Sequence, residues 1–203
     1  MSKKISFRAG PTTQARFWNM AEVDGDTAEL TLYGDILSHQ PIDWWTGEPE
    51  PGNYITPEGF LDDLAQIKNK SVINVKINSV GGDVYTGIAI HNALKSLPGQ
   101  VNIIVEGIAA SAASVIAMAG DTIKMHPGSI MMIHGVAALV CDWLQLGDIK
   151  KLAKSFDALE RAIAAIYAVK TGMEETTLRN MMEKETWMTG QEAIDKGFAD
   201  ELL

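Results

Sequence analysis

Hydrophobic and polar residues alternate with a two-residue period in the first well-patterned part of the chain. Residues 28–35 place apolar side chains at every second position up to Gly34, which predicts a half-buried β-strand. Three later apolar runs, rich in β-branched residues or methionine, are also predicted to be strands: 72–78, 101–105 and 129–133.

Helical patterns separate these strands. Thr56 followed by Pro57 predicts an N-cap and the first turn of a helix. Four further helices are predicted: 84–97, 111–119 up to Gly120, the long amphipathic pattern of 148–171 closed by Gly172, and a short last helix opened by the capping box of Thr189 and Glu192. Strands that alternate with helices imply parallel β-α-β units, so the predicted class is α/β in a single domain.

The two ends of this pattern differ in character. Residues 1–27 are predicted to be an N-terminal arm, and residues 28–203 the folded domain. The segment 38–52 is rich in proline, glycine and tryptophan and is predicted to be an irregular loop. Its Trp44-Trp45 pair has two interpretations, a platform for substrate or an anchor that packs the loop onto the core.

Composition narrows the functional class. The 203 residues are 46% hydrophobic, and the net charge of −9 lacks the basic surface of a nucleic-acid-binding protein. The single cysteine, Cys141, cannot form an internal disulfide, so we expect a cytoplasmic protein; its apolar surroundings favour packing over a nucleophilic role. Residues 101–120 contain Glu106 and are predicted to be a buried strand and helix, not a membrane span. No apolar segment of a secretory signal follows the basic N-terminus.

Three features occurring in order carry the candidate chemistry. Ser111 lies where a predicted strand gives way to a helix of small residues, where the helix N-terminus favours developing negative charge. Gly81-Gly82 lies at another strand-to-helix turn, which can aim backbone N–H groups at an oxyanion or form a plain tight turn. His134 follows an apolar strand, at a place where its side chain can emerge into a site. Each feature alone also fits ordinary packing, but together they predict a serine peptidase.

These motifs resemble the proteolytic subunit of the Clp protease family (ClpP family), and more closely its phage- and prophage-encoded relatives, the head-maturation proteases. The resemblance covers roughly residues 30–203. It is carried by the runs Ile-Asn-Ser-Val-Gly-Gly-Asp-Val at 77–84, Gly-Ile-Ala-Ala-Ser-Ala-Ala-Ser at 107–114, Met-Ile-His at 132–134, Glu-Thr-Trp-Met-Thr-Gly-Gln-Glu-Ala at 185–193 and Lys-Gly-Phe-Ala-Asp at 196–200. It implies a ClpP/crotonase-type spiral of ββα units, a single domain with a protruding handle at about 135–171.

The resemblance also implies roles for individual residues. Ser111 becomes the nucleophile of a serine endopeptidase, and His134 its general base. The backbone N–H groups of Gly82 and Ala112 become the oxyanion hole. No metal or organic cofactor is implied.

The third member of the catalytic triad departs from the family pattern. The family has an aspartate at the position that Glu185 occupies here, and a longer carboxylate can still orient an imidazole. Glu183 and Asp148 are the alternative carboxylates. Val80 also replaces the proline that usually precedes the glycine pair.

The family assembles into stacked rings that enclose the active sites. The resemblance therefore implies a homo-oligomer of stacked hexamer or heptamer rings that cleaves protein substrates, such as capsid or scaffold protein during phage head maturation, in the bacterial cytoplasm. Residues 135–146 are unusually apolar for a connection, which fits either the start of the handle or a buried strand. The N-terminal arm does not resemble the segment that meets the ATPase in the housekeeping enzyme, so an AAA+ unfoldase partner stays open.

Two other classes of function compete with a peptidase. A crotonase-type enzyme acting on CoA thioesters shares the spiral architecture and a backbone oxyanion hole without a serine–histidine pair. A non-catalytic ring or assembly protein would keep the scaffold with an ineffective Glu185.

Overall fold

The structure, a computed structural model, describes residues 18–22 and 25–203. Its strands are β1 (Trp18–Glu22), β2 (Thr27–Ile36), β3 (Tyr54–Ile55), β4 (Val72–Gly82), β5 (Gln100–Ala110), β6 (Thr122–Met125), β7 (Ile130–Ile133), β8 (Thr186–Thr189) and β9 (Glu201–Leu202). Its helices are α1 (Pro57–Ile67), α2 (Val84–Lys95), α3 (Ala112–Ala117), α4 (Leu146–Thr171), α5 (Glu175–Glu183) and α6 (Gly190–Asp195). Residues 1–17 of the predicted N-terminal arm lie outside the described residues.

One mixed sheet organises the described part of the chain. Its main path runs β1-β2-β4-β5-β6-β9, and β2, β4, β5 and β6 are parallel to one another. β1 is antiparallel to β2, so part of the predicted arm is a sheet edge. The alternation of strands with helices confirms the α/β prediction.

The strand β5 changes partner halfway along its length. Its first half pairs with β6, and its last three residues pair in parallel with β7, which in turn pairs antiparallel with β8. Gly107 lies between the two halves, where an added Cβ would lie 2.5 Å from Asn78 Oδ1. This change of partner brings the ends of β5 and β7 to one edge of the sheet.

The core is built from the apolar positions of the parallel strands. Alternate residues of β2, β4 and the first half of β5 are buried, as their two-residue period requires. The buried cluster also includes aromatic side chains from outside the sheet, Phe60, Tyr167 and Phe198. No helix of the described residues is long and apolar enough to cross a bilayer.

Several predicted boundaries differ from the structure for physical reasons. β4 and β5 extend to Gly82 and Ala110, well past their predicted ends, because backbone pairing with neighbouring strands keeps these glycine and alanine residues in the sheet. Thr56 precedes α1 as predicted, but its side chain makes no capping hydrogen bond. The capping box of Thr189 and Glu192 is confirmed, and α4 ends at a left-handed Gly172 as predicted.

Three interpretations of apolar segments are wrong. Trp44 and Trp45 are 79% and 78% exposed, so they do not pin their loop onto the core; their rings contact each other instead. Cys141 is exposed and not packed. The segment before α4 is not a buried strand, since Leu139 and Trp143 are 92% and 98% exposed and the segment has no strand structure.

Candidate active site

Ser111 occupies a strained turn between β5 and α3. Its φ of 54° and ψ of −126° place a non-glycine residue in a sparsely populated region of backbone conformation. Its N–H donates to the carbonyl of Met132 (2.9 Å), and its own carbonyl accepts the N–H of Ser114 (3.0 Å). These bonds on both sides hold the turn, so the serine side chain is fixed at the end of β5.

His134 is brought to this serine by the parallel pairing of β5 with β7. Because Ala110 pairs with Met132, the residues that follow both strands leave the sheet at the same edge. His134 Nε2 and Ser111 Oγ lie 2.7 Å apart, the distance of a short hydrogen bond. Within the described part of the chain, Ser111 is the one side-chain hydrogen-bond partner of His134. The structure thus brings together the predicted nucleophile and base.

The glycine pair lies directly against the serine turn. Gly81 and Gly82 have φ of 94° and 141°, where only glycine is unstrained. A Cβ at Gly81 would lie 2.5 Å from the carbonyl oxygen of Ala110 and 2.7 Å from Ser111 Cβ. Ser79 Oγ accepts the Gly81 N–H (3.1 Å) and donates to the Gly34 carbonyl (2.6 Å), which fixes the pair. Glycine is therefore required here by close approach as well as by φ.

The predicted oxyanion donors face the same space as the reacting pair. Gly82 and Ala112 line one cavity of about 350 Å³ together with Ser111 and His134. Ala112 is the first residue of α3, where a backbone N–H has no partner within its helix. The N–H of Ser111 is already bonded to Met132, so it is not the second donor.

The opposite wall of this cavity is apolar and belongs mainly to α4. Side chains at helical spacing reach it, namely Leu152, Phe156, Leu159, Ile163 and Tyr167. Val115 of α3 adds a further apolar side chain. The cavity therefore has one polar, reactive wall and one hydrophobic wall.

Glu185 directly precedes β8, the strand that pairs with β7, but its carboxylate is bonded elsewhere. The antiparallel register ends with the pair Ile133 and Thr186, and His134 and Glu185 are the residues that adjoin this last pair. The Glu185 carboxylate accepts Trp187 Nε1–H (3.1 Å), and its φ is 50°. No hydrogen bond joins it to His134 among the described residues, so its orienting role stays a prediction.

The alternative carboxylates are not at the site. Asp148 belongs to the capping box of α4 with Gln145. Glu183 lines a separate cavity between α4 and α5, with Glu160 and Arg179. Neither is brought to His134 by the fold.

A buried row of hydrogen bonds lies behind the nucleophile and was not predicted from the sequence. Ser114 Oγ donates to the Ser111 carbonyl (2.6 Å) and lies 2.8 Å from the hydroxyl of Tyr167. Because the single Ser114 proton is used toward Ser111, Tyr167 is the donor to Ser114. Burial raises the pKa of Tyr167 above its ordinary value, which keeps that hydroxyl protonated. The spacing of three residues between Ser111 and Ser114 is the one signal of this contact in the sequence.

A metal site has no basis in the described residues. They contain no group of three or more histidine, cysteine, aspartate or glutamate side chains able to hold an ion.

Comparisons with known proteins agree on one family. The family model for Clp protease matches residues 60–203. The ATP-dependent Clp protease proteolytic subunit of Bacteroides fragilis is 34% identical over 146 residues, which cover 71% of this chain and 68% of that protein. The ATP-dependent Clp protease proteolytic subunit 3 of Streptomyces coelicolor is 29% identical over 133 residues, covering 64% of this chain and 60% of that protein.

The fold agrees with a solved structure. A point mutant of ClpP1 from Listeria monocytogenes superposes with a TM-score of 0.68 at 23% identity, covering 86% of this chain and 90% of that one. At this identity the likeness shows the fold, and it confirms the predicted ClpP-type single domain. With the family match over most of the chain, these findings show that the protein belongs to the Clp protease family.

Proposed function

We propose that this protein is a serine endopeptidase that cleaves peptide bonds through an acyl-enzyme. The single observation that carries the proposal is the 2.7 Å approach of Ser111 Oγ to His134 Nε2, at a strained turn facing an open cavity. A serine hydroxyl is a weak nucleophile unless a base takes its proton, and here the base is within reach.

Each chemical step has a residue in place. His134 Nε2 accepts the Ser111 proton as Oγ attacks the substrate carbonyl carbon. The N–H groups of Gly82 and Ala112 stabilise the resulting oxyanion. The protonated imidazole then donates its proton to the leaving amine, and water hydrolyses the acyl-enzyme by the same route. The hydrophobic wall of the cavity favours an apolar substrate side chain beside the cleaved bond.

Glu185 is the proposed orienting carboxylate. Its position beside the last pair of the β7–β8 register, which His134 also adjoins, supports this assignment. To act, the carboxylate must exchange the Trp187 Nε1–H donor for the Nδ1–H donor of His134. Such an exchange stabilises the imidazolium that forms during attack.

The proposed setting is an oligomeric chamber. An exposed apolar stretch lies before α4 and at its start, and it consists of Leu139, Trp143, Leu146 and Ile149. The structure describes all of residues 146–162, and none of them is buried. Such a surface needs a partner. As in the Clp family, we propose stacked rings of six or seven subunits that cleave protein substrates in the bacterial cytoplasm. The motif resemblance supports the narrower proposal of capsid or scaffold cleavage in phage head maturation.

An ATPase partner is a separate part of the proposal. The names of the two curated relatives include "ATP-dependent", whereas the motif resemblance does not extend to the N-terminal arm. Cleavage of a folded protein that requires both ATP and an added AAA+ unfoldase would establish such a partner for this chain.

Fluorophosphonate labelling tests the central proposal. We expect the purified protein to be labelled at Ser111, as located by mass spectrometry, and we expect labelling to disappear in His134→Ala. Ser155→Ala is the matched control, because Ser155 lines the same cavity and, among the described residues, its hydroxyl bonds the Leu152 carbonyl of its own helix alone. Labelling that persists in His134→Ala would refute the assignment of the base.

The competing classes give different outcomes in the same experiment. Assembled protein without labelling or peptide cleavage would indicate a non-catalytic ring protein. Turnover of an enoyl-CoA thioester that is unaffected by Ser111→Ala would indicate the crotonase type.

A further inference from the structure

The chain segment directly after His134 is held by a carboxylate from α4. Glu160 Oε1 accepts the backbone N–H of Val136 (3.2 Å). The same oxygen lies so close to Gly135 that a Cβ there would be 2.9 Å away from it. Glu160 therefore fixes the backbone two residues beyond the imidazole, at a point where the chain leaves the sheet and has no strand partner to hold it.

A second tether holds the same segment from α5. The carbonyl of Met182 accepts both the N–H of Gly135 (3.0 Å) and the N–H of Glu185 (3.0 Å). One oxygen thus sets the backbone after His134 relative to the backbone of Glu185. The direction of the imidazole consequently depends on where α5 lies.

Arg179 joins the two tethers. This side chain of α5 donates to Asp157 (2.7 Å) and to Glu160 Oε2 (3.4 Å) on α4. Its guanidinium thus restrains the carboxylate whose other oxygen binds Val136. Arg161 also bonds Asp157, but it lies on α4 itself and does not link the helices.

We infer that Glu160 is a positioning residue for His134, and that Arg179 holds Glu160 in place for this role. The inference rests on the proposed peptidase function, since it assigns Glu160 to the geometry of that reaction. Glu160 does not touch the reacting atoms, so it acts by limiting the positions of the imidazole. Misplacement of a catalytic group by about 1 Å costs on the order of 100-fold in rate.

The kinetic test compares Glu160→Ala with Glu160→Gln in the assembled, full-length protein. Rates are expressed per active site, counted by fluorophosphonate titration, so that lost or misfolded sites do not contribute. We expect Glu160→Ala to lower kcat for a fluorogenic peptide by about 10- to 100-fold with little change in KM. Glu160→Gln keeps an acceptor for the Val136 N–H, so its kcat should lie closer to the wild-type value than to that of Glu160→Ala.

A matched pair of arginine variants tests the link between the helices. Arg179→Met and Arg161→Met each remove one guanidinium from Asp157, but only Arg179 also binds Glu160. We expect kcat per active site to fall in Arg179→Met and to stay at the wild-type value in Arg161→Met. Equal effects in the two variants would overturn the role of Arg179.

One readout does not depend on activity. Hydrogen exchange of the Val136 amide should accelerate in Glu160→Ala and stay slow in Glu160→Gln. If the wild-type protein neither labels nor cleaves, the proposed function fails while this exchange measurement still tests the tether. The positioning role is overturned if Glu160→Ala keeps the wild-type kcat per site, if it changes KM alone, or if Glu160→Gln is as slow as Glu160→Ala.

Discussion

Removing the Ser114 hydroxyl should destabilise the protein mainly through the hydroxyl of another residue, Tyr167. In Ser114→Ala the hydroxyl of Tyr167, which is 1% exposed, loses its hydrogen-bond partner inside the core. A buried donor without a partner costs about 1–3 kcal/mol. The carbonyl of Ser111 keeps the backbone N–H of Ser114 as a donor, so little is added from that side.

The Tyr167→Phe variant should cost less. Ser114 Oγ still donates to the Ser111 carbonyl, so no donor is stranded and only one net hydrogen bond is lost, about 0.5–1.5 kcal/mol. The ring keeps its edge contact with Phe198, whose centroid lies 5.5 Å away. The double variant has no stranded hydroxyl, so its cost should fall below the sum of the two single costs by about 1 kcal/mol or more.

Urea unfolding of the four proteins at one fixed subunit concentration measures this cycle, because oligomer stability depends on concentration. Ser155→Ala is the control for losing a serine hydroxyl at an exposed site, and it should change stability by less than about 0.5 kcal/mol. Additive costs in the double variant, or a Ser114→Ala cost as small as that of the control, would refute the assigned donor chain.

Three other outcomes follow from the structure. Gly81→Ala should abolish fluorophosphonate labelling of Ser111, because its Cβ would collide with the serine turn. Gly128→Ala is the control and should label normally, because nothing lies within 4 Å of its Cβ. Normal labelling of both variants would contradict the close approach of Gly81 to the serine turn. Hydrogen bonds from the backbone N–H and hydroxyl of Thr189 lower the pKa of Glu192 from its ordinary 4.5, so the stability that this carboxylate contributes is present above 4.5 and is lost as the pH falls through the lower folded value. Glu192→Gln should therefore flatten the acid side of the stability–pH curve, and an unchanged curve would exclude this contribution. Trp143→Ser should shift the protein toward smaller species in native mass spectrometry, because it removes an exposed indole from the proposed ring contact; an unchanged distribution would place the contact elsewhere.

The sheet was the most predictable part of the molecule because its signal is local. The two-residue period of β2 and the apolar runs of β4, β5 and β7 reflect burial of each strand on the core. The ends of β4 and β5 could not be predicted, because glycine and alanine carry no strand preference of their own and are kept in the sheet by pairing with neighbouring strands. The short strands β6, β8 and β9 are likewise defined by pairing with distant segments.

The nucleophile and the base of the candidate site could be predicted, because a serine and a histidine placed in this way each indicate one chemical role. Ser111 and His134 each follow a strand, and parallel pairing brought them within 2.7 Å. The carboxylate was harder to predict, because side-chain rotation chooses its partner. Glu185 adjoins the last residue pair of β7 and β8, as His134 does, yet it bonds Trp187. The sequence pattern predicts where the backbone of an acidic residue lies, but it does not predict the direction of the carboxylate.

The helix α4 shows why amphipathic spacing understates what a buried face can do. Its apolar stripe predicts packing, and Ile163, Ala164 and Tyr167 are indeed its buried residues. Glu160 and Tyr167 are seven residues apart and therefore share one face, about two helical turns apart. Glu160 bonds Val136 and so supports the segment after the base. Tyr167 bonds Ser114, which supports the turn of the nucleophile. Judged from apolar spacing alone, Tyr167 is an aromatic ring packed in the core and Glu160 is a charged side chain in solvent. The hydrogen bonds of both residues instead make α4 the common support of the two reacting side chains.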